Sequence, residues 1–514
     1  MKKISLAQCF SLLNYENMKS LLPLAIFLTL FFTLSYPTPE RGTYITGPGL
    51  KPQHFRLPCQ YFHIHESPSD DISVTIQGLI DERRYLIHHR IFRSTKDSFI
   101  VHYQIPPQID SLEIRVFSNV TGEDINGSPV TIKERIYSHK CICPEGDFNR
   151  WLLRTCGETL DLQIIKDFAF FPEDIPWNVS IILDKLKEHF SNPRSQSYCH
   201  YLLKDNEVYR ECFGEHVGFN MFVDSILHYL MRIVELPDVE FFINLGDWPL
   251  TRKETSPSLP IISWCKSSEF SDILWPTYDL TQSSLECMGR QELHIFSSRD
   301  HSKNTVWENK INQGYWRGRD SNVERLKLIQ LGLRHPKHLN VGITRYFFFK
   351  EEEKELGVKE HVPFFDFFKY KYLITVDGTV AAYRLPYLLS GNSVVLKQNS
   401  EYYEHYYSKL IPNIHYIPLE KNLSNIIDKI EWARNNDDIV RKISNEARDF
   451  VNHNLLPHKI FCYHAQVLSE WRRRLMNKDR IEIKSSMEHI PQPKDDYFHM
   501  QHCSCETTHL KEEL

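Results

Sequence analysis

Lys371-Tyr-Leu-Ile-Thr-Val-Asp377-Gly378-Thr379-Val-Ala-Ala382-Tyr-Arg384-Leu-Pro386 reads as a buried strand that breaks into a turn and then a helix. Tyr372 to Val376 supplies the short apolar run of a strand covered on both faces. Gly378 permits a sharp turn, and Val380, Ala381 and Ala382 are small enough for close backbone approach. Gly391 is a good helix stop, and Ser393-Val-Val-Leu396 begins the next buried strand. Strand, turn, helix and strand in this order form the unit of a parallel sheet, with small residues where a phosphate would sit. Arg384 falls one turn into the expected helix and could reach the same oxygens. Pro386 is early enough to be tolerated, or it kinks the helix. Close packing of helix on sheet also calls for Gly and Ala, so that reading stands beside the phosphate one. No G-x-G-x-x-G is present, which removes the nicotinamide and flavin fingerprint.

The same alternation extends in both directions. Strands are expected at Val239–Leu245, Tyr315–Arg317, Tyr372–Val376 and Ser393–Leu396. Amphipathic stretches lie between them at Phe219–Val234, Val323–Leu333 and Leu423–Asn435. Alternating β and α over residues 139–478 predicts parallel sheets in two Rossmann-like halves, the second from about residue 312. The front is different. Ile72, Val74 and Ile76 alternate, as do Leu112, Ile114 and Val116, and Ser98–Tyr103 is a β-branched and aromatic run. Residues 40–137 therefore read as an immunoglobulin-like β-sandwich.

The 514 residues carry a net charge of −5, with 41% apolar and 25% charged side chains. This is a globular composition of several domains, with no basic field to hold a nucleic acid. One long apolar run, Leu21–Leu34, excludes a multi-span membrane protein. Residues 1–38 read as a secretory signal peptide, with an uncleaved anchor as the alternative, and cleavage would leave no stable membrane insertion. Residues 480–514 read as a flexible tail. It ends in Lys511-Glu-Glu-Leu514, similar to the tetrapeptide read by a KDEL-type retrieval receptor, so the expected address is the lumen of the endoplasmic reticulum. Twelve cysteines, eleven after loss of Cys9, permit several disulfides and at least one free thiol in that compartment. Asn119, Asn178 and Asn422 begin glycan acceptor sequences.

Four constellations carry possible chemistry. Asp247 stands at the carboxyl end of the strand from Val239, and Trp248 and Pro249 follow and would exclude water. A carboxylate there suits a general base for a hydroxyl acceptor, or it closes a turn. Around Tyr315-Trp-Arg317-Gly-Arg319-Asp-Ser321-Asn-Val-Glu324-Arg325 a strand meets a helix that Ser321 and Glu324 would cap as a capping box. Free amides and three arginines there make a diphosphate site, or a solvated basic face paired with Asp320 and Glu324. The turn 379–384 is the third. In the fourth, Glu401 and Glu404 would share a helix face and could hold ribose hydroxyls, or form an exposed face beside a packed aromatic stripe. No Asp-x-Asp occurs, and no H-E-x-x-H, C-x-x-C or G-x-S-x-G, so chemistry without a metal is expected.

Gly47-Pro-Gly-Leu50, Lys96–Tyr103 and Gly127-Ser-Pro-Val130 resemble a filamin repeat. Together with Gly214–Phe219, Asn244–Pro249, Trp316–Asp320, Asp377–Tyr387, Tyr403-Glu404 and the final tetrapeptide, they closely resemble the KDEL-motif-containing protein O-glucosyltransferases. The resemblance implies a GT-B fold and inverting transfer of glucose from UDP-glucose to serine in folded EGF-like repeats of secreted or membrane proteins. It implies Asp247 as the catalytic base. It implies Arg319, Arg325, Thr379, Val380, Ala381, Ala382, Tyr383, Arg384 and Glu404 as donor-binding residues, although a relative has Ser at the position of Arg319. UDP-glucose is then a co-substrate, and neither cofactor nor metal is expected. It also suggests a Cys141–Cys462 disulfide, and Phe368 and Ser390 occupy the positions of another. The alternatives are a transferase using UDP-xylose or a glycan acceptor, and a non-catalytic luminal binding protein.

Overall fold

A computed structural model describes residues 42–66, 71–95, 97–190, 197–254, 258–287, 306–476 and 479–493, with Cys503 and Cys505. The expected signal peptide and the Lys511–Leu514 tetrapeptide lie outside the described residues.

The front is built from two four-stranded antiparallel sheets. Tyr44–Thr46, Gln60–His65, Ser98–Tyr103 and His89–Thr95 are neighbours in one, and Arg83–Leu86, Ile72–Ile80, Ser111–Ser118 and Val130–Ile132 in the other. In the second sheet Val74 sits opposite Val116 and Ile76 opposite Ile114. Their inward side chains share one core with Phe62, Ile64 and Val101 of the first sheet, as the alternation requires. Gly49 has a steric reason: a Cβ there would stand 2.7 Å from the Tyr61 main chain.

The break at 137–139 is a change of secondary structure without a gap in packing. Phe55, Leu57, Tyr61 and Ile100 of the front belong to the same core as Trp151, Tyr229 and Phe461. Buried Arg56 donates to the carbonyls of Cys143, Arg232 and Ile233 at 2.7, 3.0 and 2.8 Å. Cys59 is bonded to Cys287 across the same boundary. The described residues from Tyr44 onward accordingly form one compact unit.

The first α/β half departs from the expected parallel sheet. Val239–Asn244, Ile262–Ser263 and Ile273–Leu274 run parallel, but Tyr198–Lys204 and Glu207–Phe213 join the sheet as an antiparallel hairpin. The reason is the two-residue turn Asp205-Asn206, with φ of 52° and 56°, whose twist matches a hairpin. Cys199 and Cys212 face each other across it and are bonded.

The second half has five strands, all parallel: Ile311–Arg319, Leu339–Arg345, Tyr370–Thr375, Val394–Gln398 and Ile417–Leu419. Numbered along the chain, their spatial order is 2-1-3-4-5. Both faces are covered. Tyr315, Leu373 and Val395 pack into one core, and their chain neighbours Trp316, Tyr372, Ile374, Val394 and Leu396 into another. Gly391 is needed for space more than for a helix stop: the Phe368 ring lies 1.8 Å from where its Cβ would be. The chain then returns through the helix Pro457–Arg474, and Trp471 donates to the Glu240 carbonyl at 2.7 Å in the first half.

Two sequence expectations are corrected here. The implied Cys141–Cys462 bond is replaced by Cys156–Cys462, because the helices Phe148–Cys156 and Pro457–Arg474 pack together with those Cα atoms 5.4 Å apart. Cys141 and Cys143 instead bond Cys503 and Cys505. The flexible tail from 480 is therefore fastened: Ile481 is buried, Glu488–Ile490 adds a strand to Glu207–Phe213, and two disulfides follow. Among the described residues no helix is long and apolar enough to cross a membrane.

Candidate active site

Open parallel sheets bind ligands at the carboxyl ends of their strands, where the strand order reverses. In a 2-1-3-4-5 sheet that point lies between the first and third strands, here Ile311–Arg319 and Tyr370–Thr375. The segments leaving them, 319–325 and 376–384, meet at a cleft of about 830 Å³. Asp247 lines the same cleft from the first half.

The buried strand Val239–Asn244 ends in a turn held by its last side chain. Asn244 Oδ1 accepts from the Gly246 amide at 2.9 Å, and its Nδ2 donates to the Trp248 carbonyl at 2.6 Å and to Ser263 Oγ at 3.1 Å. Ser263 in turn donates to buried Asp272 at 2.6 Å, which also receives the amides of Leu250 and Thr251. Asp247 thus projects from a fixed frame. Its carboxyl receives no hydrogen bond among the described residues, and burial alone raises its pKa. Trp248 does not seal the site as expected. It is 52% exposed and stands edge-on to Tyr402, 5.6 Å between ring centres. Replacing Asn244 by Ala frees the turn and strands its polar partners. The expected loss is about 1–3 kcal/mol of stability, read by thermal melting.

The arginines divide their labour. Arg325 is buried and spent on main chain: Nε donates to the Asp377 carbonyl at 2.7 Å, Nη1 to the Arg319 carbonyl at 3.0 Å and Nη2 to the Val376 carbonyl at 3.2 Å. Desolvation lowers its pKa to about 9, with the charge of Arg384 adding to the effect. It ties the two segments together, and a Cβ on Gly378 would meet its guanidinium at 3.2 Å. Arg384 is the residue before the helix Leu385–Ser390, not one turn into it, so Pro386 opens that helix and does not kink it. Its Nη1 donates to the Arg317 carbonyl at 2.6 Å, and burial lowers its pKa. Arg317 turns its own donors to Asn340 at 2.7 and 2.9 Å. Arg319 is exposed, its guanidinium 5.1 Å from the centre of the Phe347 ring.

The basic-face alternative required Asp320 and Glu324 to pair with these arginines. Asp320 is fully buried and accepts the amides of Phe347, Phe348 and Phe349 at 2.7–2.9 Å. Among the described residues, Arg319, Arg325 and Arg384 make no ion pair with a carboxylate, which leaves their guanidinium groups without a counter-ion in the cleft that Asp247 also lines. The cap of the helix Val323–Arg334 is Asn322, whose Oδ1 accepts from the Arg325 amide at 3.0 Å; Ser321 sits one residue too early and accepts from Arg325 Nη1.

Thr379, Val380, Ala381, Ala382 and Tyr383 line the cleft with Asp247 and the three arginines. Glu404 does not. Residues 401–406 are not helical, because Tyr403 pairs its main chain with Lys266. Glu401 is exposed and pairs with Lys421 at 2.5 Å, whereas Glu404 is buried and receives the Tyr406 hydroxyl at 3.2 Å. Burial lifts its pKa to about 8, which suits a protonated carboxyl in the interior. Sequence reasoning missed Tyr278, Asp279, Thr344, His361, Phe364 and Phe367 on the cleft wall. The aromatic run Phe364-Phe-Asp-Phe-Phe368, a 3-10 turn feeding the third strand, was the available signal.

Residues 166–494 match the sequence profile of Glycosyl transferase family 90. The chain is 39% identical to Protein O-glucosyltransferase 2 of Danio rerio over 92% of its own length and 94% of the relative's. It is 40% identical to Protein O-glucosyltransferase 3 of Homo sapiens over 88% and 90% of the two lengths. Protein O-glucosyltransferase 1 of Homo sapiens is 29% identical over 54% of this chain and 72% of its own.

Proposed function

The chain belongs to glycosyltransferase family 90 and to its protein O-glucosyltransferases, and from that premise we propose that it moves glucose from UDP-glucose to serine hydroxyls of folded EGF-like repeats. The chain is a glycosyltransferase that O-glucosylates protein, so it takes a sugar donor and a protein acceptor. One observation carries the finer reading: the Asp247 carboxylate, which accepts no hydrogen bond among the described residues, and guanidinium groups without a carboxylate partner there line a single cleft at the strand-order reversal.

The mechanism follows from those groups. Asp247 accepts the proton of the acceptor serine as its oxygen forms a bond to the anomeric carbon. The bond from that carbon to the diphosphate breaks on the opposite face, so the configuration inverts. Arg319, Arg384 and the amides around Thr379 take up the charge of the departing UDP, and Arg325 keeps the two loops in register. The proton leaves Asp247 to solvent. Because cations of the protein meet the diphosphate and the chain lacks Asp-x-Asp, the transfer proceeds without a divalent metal.

The 2-1-3-4-5 sheet and the first half facing it across the cleft support a GT-B arrangement, and the two antiparallel sheets around one core support a filamin-type front module. Five disulfides suit an oxidising compartment, in keeping with the lumen of the endoplasmic reticulum and retrieval by a KDEL-type receptor. Asn119 and Asn422 are exposed, as glycan acceptors must be.

The test is transfer from UDP-glucose and UDP-xylose to folded and reduced EGF-like repeats, with and without EDTA, followed by mass spectrometry of the repeat. Hexose on the folded repeat only, undiminished by EDTA, is the expected result. Pentose in place of hexose overturns the donor, labelling of reduced repeats overturns the fold requirement, and loss with EDTA overturns the metal-free reading.

A further inference from the structure

The geometry points to Cys265 as a positioning residue for the transfer step, its thiol fastening the turn of Asp247 to the donor loop 379–384. The inference rests on the reading of Asp247 as the base.

Cys265 follows the strand Ile262–Ser263 in the first half and is completely buried. It is the one unbonded cysteine among the described residues. Its Sγ donates to the main-chain carbonyl of Asp247 at 3.3 Å. The same sulfur accepts from the Tyr383 hydroxyl at 3.6 Å. One atom thus links the residue that would take the proton to Tyr383 of the loop that would hold the leaving group. Val380 and Ala381 complete a small closed cluster with Cys265, separate from the larger cores, with Tyr383, Tyr402 and Tyr407 packed around it.

The junction is anchored on the side of the first half. Lys266 and Tyr403 exchange main-chain hydrogen bonds of 3.1 and 2.8 Å. Lys266 Nζ is buried against Asp167 at 2.6 Å and donates to the Asp272 carbonyl at 2.7 Å. Asp272 is the carboxylate that also supports the Asn244 frame. Burial pushes the Cys265 thiol well above its ordinary pKa, so it remains S–H, a donor and not a nucleophile. A misplacement of about 1 Å between reacting groups can cost on the order of 100-fold in rate, so a junction setting the distance from base to donor acts on turnover.

The experiment compares Cys265→Val, which keeps an apolar side chain and loses the hydrogen bonds, with Cys265→Ser, which keeps a donor. Turnover is measured at saturating UDP-glucose and folded EGF-like repeat, UDP affinity by calorimetry and folding by circular dichroism. The folded valine enzyme is expected to lose about tenfold in kcat, with UDP affinity within about twofold of normal and most of the rate restored by serine. Normal kcat in a folded valine enzyme overturns the inference, and so does an equal loss in both variants, which would mean the sulfur only fills space. Should the valine variant not fold, Cys265→Ala removes the same hydrogen bonds with less bulk. A lower kcat with UDP affinity held supports the inference, and an unchanged kcat overturns it. Asp247→Asn is run in parallel. An inactive Asp247→Asn beside a fully active Cys265→Val overturns the junction alone, whereas an active Asp247→Asn overturns the base itself.

Discussion

Asp247→Asn is expected to abolish transfer to protein while UDP still binds. The amide has nearly the shape of the carboxylate, so the frame built by Asn244 and Ser263 is undisturbed. What disappears is the proton acceptor, a loss on the order of 10²–10⁴-fold in kcat. The proposed diphosphate contacts are other residues of the cleft, so UDP affinity in calorimetry should stay near normal. Retained turnover would move the base to another residue. Burial raises the Asp247 pKa, so the carboxyl is deprotonated only above a pH higher than that of an ordinary aspartate. The acid limb of kcat/KM is therefore displaced upward, and activity falls as pH drops through it. The stability effect has the opposite sense. A carboxylate whose folded pKa is raised destabilises the fold when ionised, and the penalty fades as pH falls through that pKa. Asp247→Asn should melt no lower than the parent at neutral pH.

Arg384→Ala is expected to weaken UDP binding. The guanidinium sits on the cleft wall, partly desolvated, and has no carboxylate partner among the described residues. Such a group is a poor ion pair in the empty protein and a strong one when a diphosphate arrives, because the low local dielectric then works in its favour. A charge-assisted hydrogen bond contributes about 1.5–3 kcal/mol, so UDP affinity should fall roughly 10- to 150-fold. Calorimetric titration reads this directly, and unchanged affinity would remove Arg384 from the phosphate site. Arg325→Ala should behave differently. Its three main-chain bonds hold the switch point together, so its loss lowers the melting temperature as well as the affinity for UDP.

Local pattern alone determined a good deal of this protein. The strand of Tyr372–Val376, the sharp turn at Gly378 and the small residues after it were legible because a buried strand and a tight turn each restrict which residues fit. Asp247 at a strand tip and the arginines beside Gly318 were legible for the same reason, since both lie within a few residues of an element end. The alternation in the front sheets was equally plain.

Only the folded chain decided what those residues meet. Asp320 is close to three arginines in sequence, yet it binds the amides of Phe347 to Phe349. Glu404 keeps helical spacing from Glu401, yet main-chain pairing of Tyr403 with Lys266 forbids the helix and buries the carboxyl. Arg325 was read as a phosphate ligand and is mostly a brace. Cys265 carried no signal, because its partners are 18 residues before it and more than 100 after it. The same holds for Arg56, whose four carbonyl partners lie 85 to 177 residues away. Periodicity and turn chemistry act within a few residues. A polar group, however, is satisfied by whichever partner the packing of distant elements brings within hydrogen-bonding distance, and no local rule contains that choice.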